Sequence, residues 1–230
     1  MADRIIIRPP PEIKSFPASV SRWCQQVCNE INNIRSGTTF GENENTGYTD
    51  IEADGTIRFY LAATPWIDLD IDLMQSALGA SAPDIGTVGA GTIKHLLFDG
   101  ISTTEDVHGH KEINHDIKLD VLKPHLHWIP TTTDSGNVKW NLTYSITNNG
   151  DSDSETTISV VTAAPGAVQS TFSAFPDIDV SSFTAGAQFS FRLFRDPTDG
   201  DDTYAHDVAT KSLGLHAERQ SLGTRTTITD

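Results

Sequence analysis

From Val138 to Ile146 the chain alternates without a break. Val138, Trp140, Leu142, Tyr144 and Ile146 are apolar, and Lys139, Asn141, Thr143 and Ser145 between them are polar. Successive side chains leave opposite faces of a pleated strand, so a two-residue period predicts a half-buried β-strand. The same period runs through Trp66–Leu73, with Ile67, Leu69, Ile71 and Leu73 on one face and Asp68, Asp70 and Asp72 on the other. Further strands are predicted at Thr56–Ala63, Ile93–Phe98, Thr156–Ala163, Val168–Phe175, Gln188–Phe194 and Ser212–Arg219. The Gly- and Ala-rich stretch from Gly79 to Gly91 reads as a loop, as do residues 99–116, which hold His108, His110 and His115. About nine short strands with turn residues between them predict a mainly β protein, an antiparallel sandwich of jelly-roll type.

The segment 117–147 is expected as a long antiparallel pair turned at TTDSGN, carrying Trp128 and Trp140. Pro124 interrupts its first half, and a proline inside a strand predicts an edge or a bulge. A bulge there would flip the faces, sending Leu126 and Trp128 into the core and turning His125 and His127 outward.

Ahead of the strands the period changes. Val20, Trp23, Val27, Ile31 and Ile34 recur at steps of three and four behind Ser19, a suitable N-cap, and Gly37 closes the run. This predicts an amphipathic helix over residues 19–36 whose stripe packs on the body or associates with copies of itself. Residues 1–18 contain four prolines and read as an extended arm with an apolar load of Ile5, Ile6, Ile7, Ile13 and Phe16. Such an arm straps its own domain or inserts into a partner. Residues 37–55, rich in Gly, Asn and Thr, are expected as a linker, and residues 56–230 as the knob domain.

Charge narrows the range of partners. Residues 1–40 hold five Lys/Arg against three Asp/Glu, a net +2, which leaves −17 on the remainder of a 230-residue chain of formal charge −15. An acidic body of this kind argues against nucleic acid. Cys24 and Cys28, four apart on the predicted helix, read as small buried hydrophobes made in a reducing compartment. With no signal peptide and no apolar run of membrane-spanning length, synthesis in the cytoplasm and no membrane insertion are expected.

Candidate chemistry is sparse. The GxSxG, GxxxxGK[ST] and HExxH patterns are absent, and no catalytic residue is assigned. His125 and His127 sit two apart and either share a metal, with three pairs meeting on a trimer axis, or are satisfied by neighbouring strands. A cupin-like metal enzyme is disfavoured, because Leu119 stands where the cupin glycine belongs and residues 129–133 contain no acid. Asp196, Asp199 and Asp201 cluster around Gly200, as a calcium site or as an Asp/Gly turn. Beyond such a divalent ion, no cofactor is expected.

Four stretches taken in order, PHLHWIP (124–130), VKWNLTYS (138–145), FRLFRDPTDGDDTY (191–204) and LGLHAERQSLGTR (213–225), carry a resemblance. Together with PWIDLDIDL they resemble a family of small virion proteins of tailed bacteriophages and prophages. In that family a short N-terminal attachment region precedes a β-sandwich knob that is expected to trimerise. The resemblance spans residues 56–225. It implies a non-enzymatic structural protein of the virion, made in the host cytoplasm: a homotrimeric head or tail fibre, spike or decoration component. Arg4, Ile5, Ile6, Ile7, Arg8 and Phe16 would then contact capsid or tail proteins. The alternative is a carbohydrate-binding module that meets host-surface glycans with exposed aromatics and the Asp-rich loop, assisted by calcium.

Overall fold

The alternating segments become strands, and their apolar faces meet in a single interior layer. A computed structural model describes residues 38–43, 47–52 and 55–222, together with Arg22, Gln26 and Val27. Among these, the strands are β1 (Thr38–Asn43), β2 (Gly47–Ile51), β3 (Ile57–Tyr60), β4 (Trp66–Asp72), β5 (Ala77–Leu78), β6 (Asp84–Gly86), β7 (His95–Phe98) and β8 (Glu105–Glu112). They continue with β9 (Val121–Pro130), β10 (Asn137–Thr147), β11 (Thr156–Ala163), β12 (Thr171–Ala174), β13 (Ile178–Asp179), β14 (Gln188–Arg195) and β15 (Val208–Glu218). The chain divides into two compact units, one from residues 1–65 and 219–230, the other Trp66–Glu218.

In the first unit β1, β2 and β3 form an antiparallel sheet, with the Tyr48 and Tyr60 rings stacked 4.5 Å apart. The expected linker at residues 37–55 is therefore corrected: it supplies β1 and β2, because the composition of a linker is also that of a hairpin. The expected boundary at residue 56 moves to Trp66, since β3 pairs with β2 rather than with the sandwich. Arg22, Gln26 and Val27, within the expected helix, are helical; the rest of residues 19–36 lie outside the described residues. The arm residues Arg4, Ile5, Ile6, Ile7, Arg8 and Phe16, and the helix positions Val20, Trp23, Ile31 and Ile34, lie outside the described residues. Among the described residues, no helix is long and apolar enough to cross a membrane.

The second unit is an antiparallel β-sandwich. One sheet runs β11-β10-β14-β8-β5; the other runs β12-β9-β15-β7-β6, with β13 also on β9 and β4 also on β15. Between them lie Leu69 and Ile71 from β4, Leu126 and Trp128 from β9, Val138, Trp140 and Leu142 from β10, Phe189, Phe191 and Leu193 from β14, and Leu213 and Leu215 from β15. Each is at alternate positions of its strand, so the period of two that predicts the strands also fills the core. Burying side chains of this size contributes roughly 1.5–3 kcal/mol apiece.

Three expectations change here. The predicted antiparallel pair over 117–147 does not form: β9 and β10 lie in different sheets and face each other across the core. The six-residue connection is longer than a tight hairpin needs and packs on the chain before β15 instead. There, Thr131 N–H donates to Asp207 O at 3.3 Å, and the N–H groups of Thr203 and Tyr204 donate to Asn137 O at 2.8 and 2.9 Å.

The bulge expected at Pro124 is also absent. β9 alternates straight through it, burying Leu122, Pro124, Leu126, Trp128 and Pro130, and the register shift falls on β15 between Thr210 and Ser212. The Pro124 carbonyl accepts from Phe175 N–H at 3.0 Å, which places the missing donor on the side where β12 and β13 pair separate stretches of β9. A proline is tolerated where no ladder bond is required. Finally, the expected loop at 99–116 contains β8. Its inward Gly109 leaves room for Phe191, whose ring a Cβ at that position would approach to 2.6 Å.

Candidate functional site

The outer face of the seven-stranded sheet carries a chemically varied surface. The register aligns its outward residues in rows: Asp68, His216 and Lys123; then Asp70, Gly214, His125 and Ala174; then Asp72, Ser212, His127 and Phe172. Asp68, Lys123, His125, His127, Phe172 and His216 line an open groove of about 510 Å³ there. Two large aromatics flank it in solvent, Trp66 at 50% exposure and Phe172 at 59%.

Gly214 shapes this groove. A Cβ there would stand 2.6 Å from His125 Nε2 and closer still to its Cε1, so the glycine lets the imidazole lie across β15 toward the next row. The His125 ring centroid comes within 4.3 Å of that of His216. Asp68 Oδ1 lies 2.8 Å from His216 Nε2 and 4.0 Å from His125 Nε2. Burial, reinforced by the neighbouring His216, pulls His125 below the ordinary imidazole value, so its neutral form is favoured. Its Nδ1 is buried with no hydrogen-bond partner. Lys123 Nζ pairs with Asp177 at 2.7 Å and lies 5.8 Å from the Trp66 ring.

The opposite outer face, on the five-stranded sheet, forms a second open cleft lined by His108, His110, Tyr144, Arg192 and Phe194 among others. Its polar groups are largely engaged with one another. Arg192 Nε donates to Asp106 Oδ2 at 2.6 Å and covers the Phe194 ring at 4.3 Å, while His110 Nδ1 and Ser190 Oγ are 3.0 Å apart.

Of the histidines expected to share a metal, only His125 faces other ligand atoms. His127 lies in the next row, edge-on to His125 with centroids 5.1 Å apart and 6.3 Å from Phe172. Among the described residues, the metal-capable cluster is Asp68, His125 and His216, whose ligand atoms all lie within 4.8 Å of one another. Asp68 sits in the alternating acidic face of WIDLDIDL, and His216 is an outward position between Leu215 and Ala217, so pattern alone marks neither.

Asp196, Asp199 and Asp201, expected as a calcium site or as an Asp/Gly turn, bond to groups of the protein itself. Lys139 Nζ donates to Asp199 at 2.8 Å and to Asp201 at 3.2 Å, and Asp196 accepts from Thr198 Oγ1 at 2.7 Å. Asp202 is committed to Arg195, which holds it bidentately at 2.8 and 2.9 Å with both side chains buried. The segment is a braced turn.

No family model matches the chain, and no curated protein matches it. Solved structures of similar layout include a cycloisomaltooligosaccharide glucanotransferase of Paenibacillus sp. complexed with cycloisomaltoheptaose, at 10% identity and a TM-score of 0.40 over 64% of this chain. The match spans 18% of that enzyme's length. The CBM36-1 domain of a multidomain xylanase from the hindgut metagenome of Trinervitermes trinervoides matches at 9% identity and a TM-score of 0.38, over 65% of this chain and 96% of that domain. The CBM22-1 and GH10 modules of a Clostridium thermocellum xylanase match at 10% identity and a TM-score of 0.34, over 72% of this chain and 27% of that one. Likeness at this level concerns the sandwich layout, and no residue is carried over from it.

Proposed function

We propose that the sandwich is a non-catalytic carbohydrate-binding domain that takes an oligosaccharide along the outer face of its seven-stranded sheet. The observation that carries this reading is the exposure of Trp66 and Phe172 on one face, with a polar groove between them. A sugar ring has an apolar C–H face and a rim of hydroxyls. Exposed aromatic rings accept the first, and charged or planar polar groups such as Lys123, Asp177 and His127 bond the second. Three strand spacings across and six residues along separate the two aromatics, roughly 25 Å at ordinary sheet dimensions. That is the span of an oligosaccharide rather than of one sugar.

The test is a glycan array probed with the full chain, followed by affinity electrophoresis on any sugar that is retained. Trp66→Ala and Phe172→Ala are expected to abolish retention, and EDTA to leave it intact, because Asp196, Asp199 and Asp201 do not line the groove. A flat array response from the intact chain overturns the reading.

A second reading, an anchored virion component of fibre, spike or decoration type, is favoured by a different observation. Trp66 pairs directly with Glu218, so the chain enters and leaves the sandwich side by side, as suits a knob carried on an attachment region. Host-surface glycans would then be the natural ligands of the groove, and homotrimerisation would multiply weak contacts. Deleting residues 1–18 is expected to abolish incorporation into particles while the remaining chain folds; assembly of the truncated protein overturns it.

A further inference from the structure

We propose that Asp68, His125 and His216 form a binding site for one divalent transition-metal ion of the zinc class, open to solvent in the groove. Two imidazoles and one carboxylate are a donor set for zinc and its neighbours; hard cations such as calcium require oxygen ligands. The ligand atoms already lie within 4.8 Å of one another. Bonds of about 2.0–2.2 Å to a shared ion would take the place of the 2.8 Å Asp68–His216 contact and bring Asp68 nearer to His125, by side-chain rotation of Asp68 and His216, both about half exposed. His125, the least exposed of the three, is held in place by the space above Gly214.

Three features distinguish this cluster from a chance meeting of surface groups. All three residues stand on neighbouring strands, β4, β15 and β9, so their backbones are fixed by ladder pairing. Gly214 leaves the space that His125 occupies, since any side chain there would strike the imidazole. His125 also turns Nε2 toward Asp68, 4.0 Å from its Oδ1, so a ring nitrogen already faces the shared position. The local charge favours a cation as well: Asp68, Asp70 and Asp72 line β4 outward, while the nearby Lys123 is neutralised by Asp177. Protein ligands take three positions, and the remaining ones face the groove.

The experiment uses the full chain carrying Cys24→Ser and Cys28→Ser, which removes thiols that would bind the same ions. Calorimetric titration with zinc chloride is expected to show one ion per chain. Cobalt(II) is expected to give visible absorption bands of a nitrogen- and oxygen-bound ion. His216→Gln and Asp68→Asn should each weaken binding on the order of tenfold or more, whereas His127→Gln should leave it unchanged. Circular dichroism of each variant confirms that the sandwich is intact. Absence of saturable binding, equal affinity in His216→Gln, or loss in His127→Gln overturns the proposal. Sugar retention is measured on metal-free protein, so either result stands independently of the other.

Discussion

Trp128 and Trp140 occupy consecutive strands yet face each other from opposite sheets, fully buried, with ring centroids 6.4 Å apart. They differ in one respect. Trp128 Nε1 donates to Ser173 Oγ at 2.8 Å, whereas Trp140 Nε1 is buried without a partner. Replacing either by Phe removes a similar volume, but only Trp128→Phe also removes a hydrogen bond. Trp128→Phe should therefore be the more destabilising, by about 1 kcal/mol in urea unfolding. Equal losses would show that the indole N–H contributes nothing at either site.

Arg195 and Asp202 are buried together, 0% and 1% exposed. Asp202→Asn keeps the shape but leaves the guanidinium unpaired in the interior. The expected cost is about 3–5 kcal/mol, read as a shift of the urea midpoint. A loss below about 1 kcal/mol would mean that the carbonyls of His206 and Tyr204, which also accept from Arg195, suffice on their own.

Glu105 is an acid whose value burial raises to about 7, against the opposing hydrogen bond from Asp99 N–H. The folded state thus holds a proton that the unfolded state releases at the ordinary carboxylate value of 4.5. Stability from this group falls as pH rises from that value to about 7, and the full penalty applies above it. Glu105→Gln should accordingly raise the melting temperature at pH 8 while changing it little at pH 4. Equal effects at the two pH values would remove the carboxylate as the cause.

The two outer faces give opposite forecasts for aromatic removal. Phe172→Ala should abolish sugar retention with little change in unfolding, because an exposed ring contributes little to the core. Phe194→Ala, beneath Arg192 on the other face, should leave retention intact. Reversal of the two results would move the binding face to the five-stranded sheet.

How far these features could be read from sequence depends on where each partner lies. WIDLDID announces β4 because every inward position is apolar, and the structure keeps that parity. EDVHGHKE conceals β8 because its inward positions are Val107, Gly109 and Lys111: the glycine makes room for Phe191, so the apolar signal appears on β14 instead. Leu126 and Trp128 enter the core and His125 and His127 face outward, but the cause lies in the phase of β9 and not in a bulge at Pro124. The cluster at His125 is half legible. His127 is near it in sequence but turned to the next row, while His216 and Asp68 reach it only through two strand pairings. The vacancy at Gly214 leaves no trace in any local pattern.

The pairing of Trp66 with Glu218 also sets how the sandwich answers a pull. Tension applied through these two points runs across the β4–β15 ladder rather than along it. Hydrogen bonds loaded in that direction break in succession, like a zip, instead of resisting together in shear. The first rung to open would be the one beside Trp66, so mechanical strain would disturb this aromatic before it reached the groove or the core.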